Sequence, residues 1–335
     1  MLLSHVHEPV ADPRESRSRR NACRLLPVSF DVLVPDHLTR FGRTTRASLR
    51  GPKHAPLIVV LGGISAHCFP CTRPDGSAGW WKGLAEESRV LDTDEHQVLG
   101  IDFIADPTGQ TAPSPVDQAA VVCAALDQVG VARAKAIIGA SYGGMISLSL
   151  GQYFPQRTES LVVVSADAQP HPSATALREL QRRIVALGLA NGNPDEALSI
   201  ARGLAMLGYR TPAEFAARFA GGIRDEDVLS GSEPGAYLRS RGDAFVSTMS
   251  PQRFLSLSAS IDRHHVDPSR ITSPTLAIGA ETDQLVPPEQ MRSLAERLAG
   301  PVDLRFLPSL YGHDMFLKDT APISGLIARF LKALS

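Results

Sequence analysis

Short apolar runs alternate along the chain with stretches of helical periodicity. Residues 56–61 form a continuous apolar run that ends at Gly62 and Gly63, which is typical of a buried strand opening into a loop at its carboxyl end. Helical spacing follows at residues 116–129 and again after Gly143. We predict further strands at residues 97–103, 135–139, 160–165, 274–280 and 303–307. Strands that alternate with helices indicate an α/β fold with a mostly parallel sheet and helices on both faces.

The alternation stops between residues 167 and 267. This stretch has no convincing strand, but residues 176–189 and 194–207 have helical periodicity. We therefore predict a helical lid at 167–267, inserted into a core made of residues 26–166 and 268–335. Residues 1–25 are rich in Arg and lack the apolar segment of a secretory signal, so we predict a flexible N-terminal extension. An organelle presequence or a partner-binding arm remains an alternative for this segment.

Composition excludes several classes of protein but does not indicate a particular reaction. Of 335 residues, 43% are hydrophobic and 21% are charged, with a formal net charge of −1, which indicates a globular protein. The near-neutral net charge gives no reason to expect nucleic acid or an anionic membrane as partner. The sequence contains no apolar run of 18 or more residues, so we predict no membrane span. Four scattered cysteines favour a reducing, cytoplasmic location. Cys68 and Cys71 form a C-x-x-C pair, but no second pair of ligands follows, so we predict no metal and no bound cofactor.

A G-x-S-x-G motif lies between a predicted strand and a predicted helix. It reads Gly139-Ala140-Ser141-Tyr142-Gly143. The flanking glycines allow a sharp turn that exposes the Ser141 hydroxyl, so Ser141 is the candidate nucleophile. The N–H of Tyr142 begins the helix and is a candidate oxyanion donor. We expect the second donor to be the N–H of Ile64, in the loop after the strand at 56–61.

A serine nucleophile needs a base and an acid, which follow it along the chain in this fold. Asp283 follows the predicted strand at 274–280 and is the candidate acid, with Glu281 as its alternative. His313 follows the last predicted strand and is the candidate base. His67 lies elsewhere in the order, and we interpret it as a loop histidine.

Several further segments carry a family resemblance. They are Gly79-Trp80-Trp81, Asp92-Thr93, Gly143-Gly144-Met145, Gly208-Tyr209-Arg210-Thr211, Tyr237-Leu238 and Gly312-His313-Asp314-Met315-Phe316-Leu317. In this order, and over most of the chain, they resemble the homoserine O-acyltransferases of the α/β-hydrolase superfamily. The resemblance implies that Ser141 accepts an acyl group from an acyl-CoA co-substrate and passes it to the hydroxyl of L-homoserine, a step of methionine biosynthesis. It also implies that Arg210, Asp314 and Tyr237 bind the amino acid, and that the protein is a homodimer.

Two departures from the family pattern lie next to the acyl site. Tyr142 stands where the family commonly has Met, and residues 100–109 differ from the family's Asn- and Gly-containing stretch. We interpret both as favouring succinyl-CoA over acetyl-CoA, with Arg73 either meeting the succinyl carboxylate or lying in a solvated loop. Acetyl transfer to homoserine and succinyl transfer to serine remain alternatives, because one methylene separates the two acceptors. A plain esterase or thioesterase is the alternative from another reaction class.

Overall fold

The computed structural model describes residues 27–86, 89–219 and 231–334, and these contain one eight-stranded sheet. The N-terminal extension predicted for residues 1–25 lies outside the described residues. The strands are β1 (Val28–Leu33), β2 (Thr44–Arg50), β3 (Leu57–Leu61), β4 (Gln97–Ile101), β5 (Ala136–Ala140), β6 (Leu161–Val164), β7 (Thr275–Ala280) and β8 (Val302–Leu307).

Their order across the sheet is β1-β2-β4-β3-β5-β6-β7-β8. Every neighbouring pair from β4 to β8 is parallel, which confirms the predicted mostly parallel sheet. Strands β3 to β7 are buried along their whole length, because helices cover both faces of the sheet. All parallel strands end at the same edge, and the loops that follow them meet there.

Strands β1 and β2 were not predicted from the sequence. These two strands form an antiparallel pair, and β2 is also antiparallel to β4. Of the six residues of β1, only Val32 is buried, whereas Val28 is 64% and Leu33 72% exposed. An edge strand with so few buried positions has no continuous apolar run and no clean alternation of apolar and polar residues, so periodicity does not identify it.

Ten α-helices lie in the described residues: α1 (Pro115–Gln128), α2 (Tyr142–Tyr153), α3 (Pro172–Ala190), α4 (Pro194–Tyr209), α5 (Pro212–Arg218), α6 (Glu233–Val246), α7 (Pro251–Asp262), α8 (Pro288–Arg297), α9 (Met315–Lys318) and α10 (Thr320–Ala333). Helix α1 begins with a capping box in which Ser114 and Asp117 satisfy each other's backbone N–H. It ends just before Gly130, whose φ of 73° suits a glycine.

The helical insertion expected between β6 and β7 is formed by α3 to α7. Within it α3 packs against α4 and α7, and α4 packs against α6. The helices predicted at 176–189 and 194–207 are confirmed as parts of α3 and α4. These two helices lie at the carboxyl edge of the sheet, since both contribute side chains to the cavity described below.

Two apolar layers fill the space on the two faces of the sheet. Val59 and Leu61 of β3 pack in one layer with α1 and α2, whereas Ile58 and Val60 pack in the other with Trp81 and α10. The layers separate in this way because successive side chains of a strand point to opposite faces. Among the described residues, no helix is both long and apolar enough to cross a membrane.

Candidate active site

Ser141 lies at a sharp turn between β5 and α2. Its backbone has φ 55° and ψ −117°, a conformation that L-residues rarely adopt. The flanking glycines make the turn possible: a Cβ on Gly139 would lie 2.1 Å from the carbonyl oxygen of Gly143, and one on Gly143 would lie 2.3 Å from that of Leu61. The turn presents the Ser141 hydroxyl to the cavity at the carboxyl edge of the sheet.

His313 joins Ser141 to Asp283 by two hydrogen bonds. His313 Nε2 lies 2.8 Å from Ser141 Oγ, and His313 Nδ1 lies 2.8 Å from Asp283 Oδ2. A carboxylate can only accept, so Nδ1–H donates to Asp283 and Nε2 is left to accept the proton of the Ser141 hydroxyl. Asp283 is itself oriented by the N–H groups of Leu285 and Val286, which donate to its Oδ1 at 2.9 and 3.0 Å. This geometry agrees with the predicted roles of nucleophile, base and acid, which stay predictions.

The pKa of His313 reflects two opposed effects. Burial lowers this pKa, but the charge and hydrogen bond of Asp283, together with the charge of Asp314, raise it above its ordinary value. His313 also packs against the rings of Tyr209 and Phe316, at centroid distances of 5.8 and 6.2 Å. The imidazole is therefore fixed in orientation and kept basic by the neighbouring carboxylates.

The two other candidates for acid and base lie outside this arrangement. Glu281 is exposed, and Asp283 is the carboxylate that contacts His313. His67 accepts a hydrogen bond from the N–H of Phe69 within its own loop, at 3.1 Å, and does not line the cavity.

Of the two candidate oxyanion donors, Tyr142 follows Ser141 in the chain and Ile64 lines the same cavity as Ser141. The backbone N–H groups on either side of Tyr142 already form hydrogen bonds. The N–H of Ser141 donates to the carbonyl oxygen of Val164, and the N–H of Gly143 donates to that of Gly62. Tyr142 is the first residue of α2, where an N–H has no partner within the helix. Ile64 lies in the loop after β3 and lines the cavity. The position of both groups agrees with the predicted role, which stays a prediction.

A cavity of about 260 Å³ opens next to Ser141. Its apolar lining includes Ile64, Trp80, Met145, Leu177 and Phe316. Its polar lining comes in part from the lid, through Arg178 and Gln181 of α3 and Arg202 of α4. Asp314 adds a carboxylate, so the lining combines apolar side chains with polar groups of both charges.

Of the three predicted amino-acid-binding residues, Asp314 lines the cavity, whereas Arg210 and Tyr237 do not. Arg210 Nε donates to Asp314 Oδ2 at 2.7 Å, and Arg210 Nη1 donates to Glu214. Arg210 and Asp314 therefore satisfy each other and do not face each other across a gap for a zwitterion. Asp314 lines the cavity, whereas Arg210 does not.

Tyr237 also lies outside the cavity lining. Its ring packs against those of Phe215 and Phe219, with the Arg218 guanidinium 4.1 Å from its centroid. In this structure Tyr237 is a packing residue of the lid. Substrate contacts of Arg210, Asp314 and Tyr237 stay predictions.

The side chains of Tyr142 and of the C-x-x-C pair are buried in the protein. The Tyr142 ring is buried edge-on against Phe103, and its hydroxyl lies 2.5 Å from that of Ser260, so it ties the core to α7. Cys68 and Cys71 are buried free thiols, and burial raises the pKa of each to about 12. Such thiols stay protonated near neutral pH and are poor metal ligands. No cluster of three or more metal-ligating side chains occurs within the described ranges.

Several residues that line the cavity were not predicted from the sequence, among them Arg178, Arg202 and Ser165. Arg178 and Arg202 lie on lid helices, where an arginine is normally solvated, so only the tertiary fold identifies them. Ser165 follows β6, has φ 50°, and has a buried hydroxyl with no hydrogen-bond partner in the part of the chain that the structure describes. The signal available for Ser165 was its position at the carboxyl end of a predicted strand. Arg73, for which a contact with the succinyl carboxylate and a solvated loop were the two alternatives, does not line the cavity.

Comparison with known proteins agrees with this geometry. Residues 56–320 match the family described as alpha/beta hydrolase fold. A homoserine O-succinyltransferase of Xanthomonas campestris pv. campestris is 37% identical, over 86% of this chain and 78% of its own length. A serine O-succinyltransferase of Frateuria aurantia is 30% identical, over 83% of this chain and 89% of its own length.

Solved structures show the same fold at lower identity. A homoserine O-acetyltransferase from Bacillus anthracis superposes with a TM-score of 0.80 at 16% identity, covering 92% of this chain and 97% of its own. Esterase E22 superposes with a TM-score of 0.79 at 19% identity, covering 92% of this chain and 100% of its own. The match to the curated relatives at 30% identity and above is more specific than the fold. The chain is therefore a transferase that belongs to the homoserine O-acyltransferase family of the α/β-hydrolase superfamily.

Proposed function

We propose that this transferase moves a succinyl group from succinyl-CoA to the hydroxyl of L-homoserine through an acyl-enzyme on Ser141. The observation that carries the proposal is the pair of 2.8 Å contacts that link Ser141, His313 and Asp283. The donor and acceptor are those in the name of the relative at 37% identity. The cationic lining supplied by the lid supports a donor whose acyl chain ends in a carboxylate.

In the first half of the cycle, Ser141 Oγ attacks the thioester carbon while His313 Nε2 takes its proton. The oxyanion that forms accepts hydrogen bonds from the N–H groups of Tyr142 and Ile64. The carbon–sulfur bond then breaks, and the CoA sulfur leaves with the proton from His313. Succinate remains esterified to Ser141, and Asp283 stabilises the imidazolium during the step.

In the second half, His313 removes the proton of the homoserine hydroxyl, and that oxygen attacks the acyl carbon. Collapse of the second intermediate breaks the bond to Ser141 Oγ, which regains its proton from His313. The product is O-succinylhomoserine, and the enzyme returns to its starting state. Each half-reaction uses the same base, as expected of a ping-pong cycle.

The proposal is tested by assaying succinyl-CoA and acetyl-CoA, each against homoserine, serine and no acceptor, with thiol release and product mass as readouts. We expect the highest kcat/KM for succinyl-CoA with homoserine, and thiol release beyond one equivalent only when an acceptor is present. The Ser141→Ala variant is the control and should release no thiol. A highest value for acetyl-CoA or serine contradicts the proposed substrates, and full turnover with water alone contradicts transfer.

We also propose a homodimer that forms through the lid, in the cytoplasm. The outer faces of α3 and α4 expose Leu180, Leu187, Ile200 and Leu207, which are 48% to 64% accessible. Exposed apolar side chains grouped in this way are typical of interfaces. The free thiols of Cys68, Cys71 and Cys123 agree with a reducing compartment. Sedimentation equilibrium should give a dimer for the wild type and a monomer for Leu187→Glu, and imaging of a fluorescent fusion tests the location.

A further inference from the structure

Arg202 is a cation of the active-site cavity that has no carboxylate partner among the described residues. Its guanidinium carbon lies 4.8 Å from the ring centroid of Phe245 and 5.3 Å from that of Tyr209. These distances are within the range of cation–π contacts, so two aromatic faces position the group. Within the part of the chain that the structure describes, neither an ion pair nor a hydrogen bond engages its N–H donors.

The other arginines near the site are already paired. Arg178 donates through Nε and Nη2 to Asp262 Oδ1, at 2.8 and 2.6 Å. Arg210 lies between Asp314 and Glu214 and does not line the cavity. Arg202 therefore differs from both, because it lines the cavity and none of the described carboxylates pairs with it.

The position of Arg202 connects it to the reaction centre. Tyr209, whose ring contacts the Arg202 guanidinium, also packs against the His313 ring at 5.8 Å. Arg202 is thus one aromatic ring away from the base that contacts Ser141. A planar guanidinium binds a carboxylate through two parallel hydrogen bonds, and its aromatic contacts leave the donor edge available.

We propose that Arg202 binds a substrate carboxylate in this cavity and thereby contributes to substrate specificity. The inference rests on the proposed function, because both of its substrates carry such a group: the free end of the succinyl chain, and the α-carboxylate of homoserine. An acetyl group has no carboxylate, and a water molecule has none. The residue therefore distinguishes a succinyl donor from an acetyl donor, or an amino acid from water.

The test measures binding as well as turnover. In a Ser141→Ala background, which binds without reacting, isothermal titration calorimetry gives the Kd of succinyl-CoA, acetyl-CoA and homoserine with and without Arg202→Gln. In the active enzyme, the KM of each substrate is compared for wild type, Arg202→Gln and Arg202→Lys. The matched control is Arg183→Gln, which removes an exposed arginine of the lid that does not line the cavity.

Loss of a charged hydrogen-bonded pair predicts a change of about tenfold or more. If the acyl carboxylate binds Arg202, Arg202→Gln weakens succinyl-CoA by this factor and leaves acetyl-CoA unchanged. If the acceptor carboxylate binds there, homoserine weakens with either donor, and both donors are unchanged. In each case Arg202→Lys recovers part of the loss, because it keeps the charge without the planar fork.

The proposal is overturned if the two donors weaken equally, which assigns Arg202 to the CoA portion, or if every Kd matches that of the Arg183→Gln control. A wild-type enzyme that binds both substrates but transfers nothing to homoserine contradicts the proposed function alone. The Kd comparison still decides the role of Arg202 in that case.

Discussion

Arg210 Nε donates to Asp314 Oδ2 at 2.7 Å, across 104 residues of sequence. The contact joins the end of lid helix α4 to the segment that carries His313. A buried charged pair therefore connects the lid to the segment of the candidate base, His313, and neither residue of the pair belongs to the sheet.

The first prediction concerns this pair. Asp314→Asn removes one of the two carboxylates of Arg210 and the anionic group of the cavity next to His313. We expect the rate of transfer to homoserine to fall about 10–100-fold, which corresponds to the free energy of one charged hydrogen bond. The first burst of CoA released from succinyl-CoA should persist. Rapid-quench measurement of the burst and of O-succinylhomoserine separates the two steps. Glu289→Gln, an exposed acid on α8, is the control, and equal loss of both steps would contradict a role in acceptor binding.

The second prediction concerns backbone strain at Ser141. Its φ of 55° costs an L-residue about 1–3 kcal/mol, a cost that glycine avoids. Ser141→Gly should therefore be inactive yet unfold with a free energy about 1 kcal/mol higher than wild type. Ser141→Ala is the matched control, because it is equally inactive but keeps the Cβ and the strain. Urea denaturation of the three proteins gives the comparison, and equal stability of the Gly and Ala variants would argue against strain.

The third prediction is a pH dependence. His313 acts as a base only when it is neutral, and its pKa is raised, so acyl-enzyme formation should decline as the pH falls through a value above about 6.5. Asp314 contributes to raising this pKa, and its replacement by Asn should move the acid limb to lower pH. The pH profile of kcat/KM for CoA release is the measurement. A limb that stays at the same pH in Asp314→Asn contradicts the assigned cause.

The fourth prediction concerns space behind the nucleophile. A Cβ at Gly139 would lie 2.1 Å from a carbonyl oxygen that belongs to the backbone and cannot move aside. Gly139→Ala should lower the free energy of unfolding by about 3 kcal/mol or yield insoluble protein. Gly63→Ala is the control, since nothing lies within 4 Å of its Cβ position, and it should unfold like wild type. Near-wild-type stability of Gly139→Ala would show that the turn can relax.

The N-terminal strands illustrate what sequence periodicity misses. Strand β1 contributes a single buried residue, Val32, and strand β2 is polar at most of its positions. Both exist because their backbone hydrogen bonds extend an already formed sheet through β4. These strands therefore depend on tertiary contacts, which the local pattern of apolar residues does not show.

The sequence alone determined the parts of this protein that depend on local chemistry and chain order. Apolar runs predicted the buried parallel strands, and the glycines around Ser141 predicted the sharp turn. Asp283 and His313 were predicted because residues that follow parallel strands meet at one edge of the sheet. The family resemblance added the acyl-CoA chemistry, which no periodicity contains.

Only the tertiary structure decided which charges are available in the cavity. The sequence does not show whether an arginine on a lid helix is solvated, paired with a carboxylate or facing a substrate. Packing of α4 against the segment that carries His313 engages Arg210 with Asp314, whereas Arg202 contacts the aromatic rings of Tyr209 and Phe245 and has no counter-ion among the described residues. Such differences depend on distances between residues far apart in the chain, and these are established only when the lid packs onto the core.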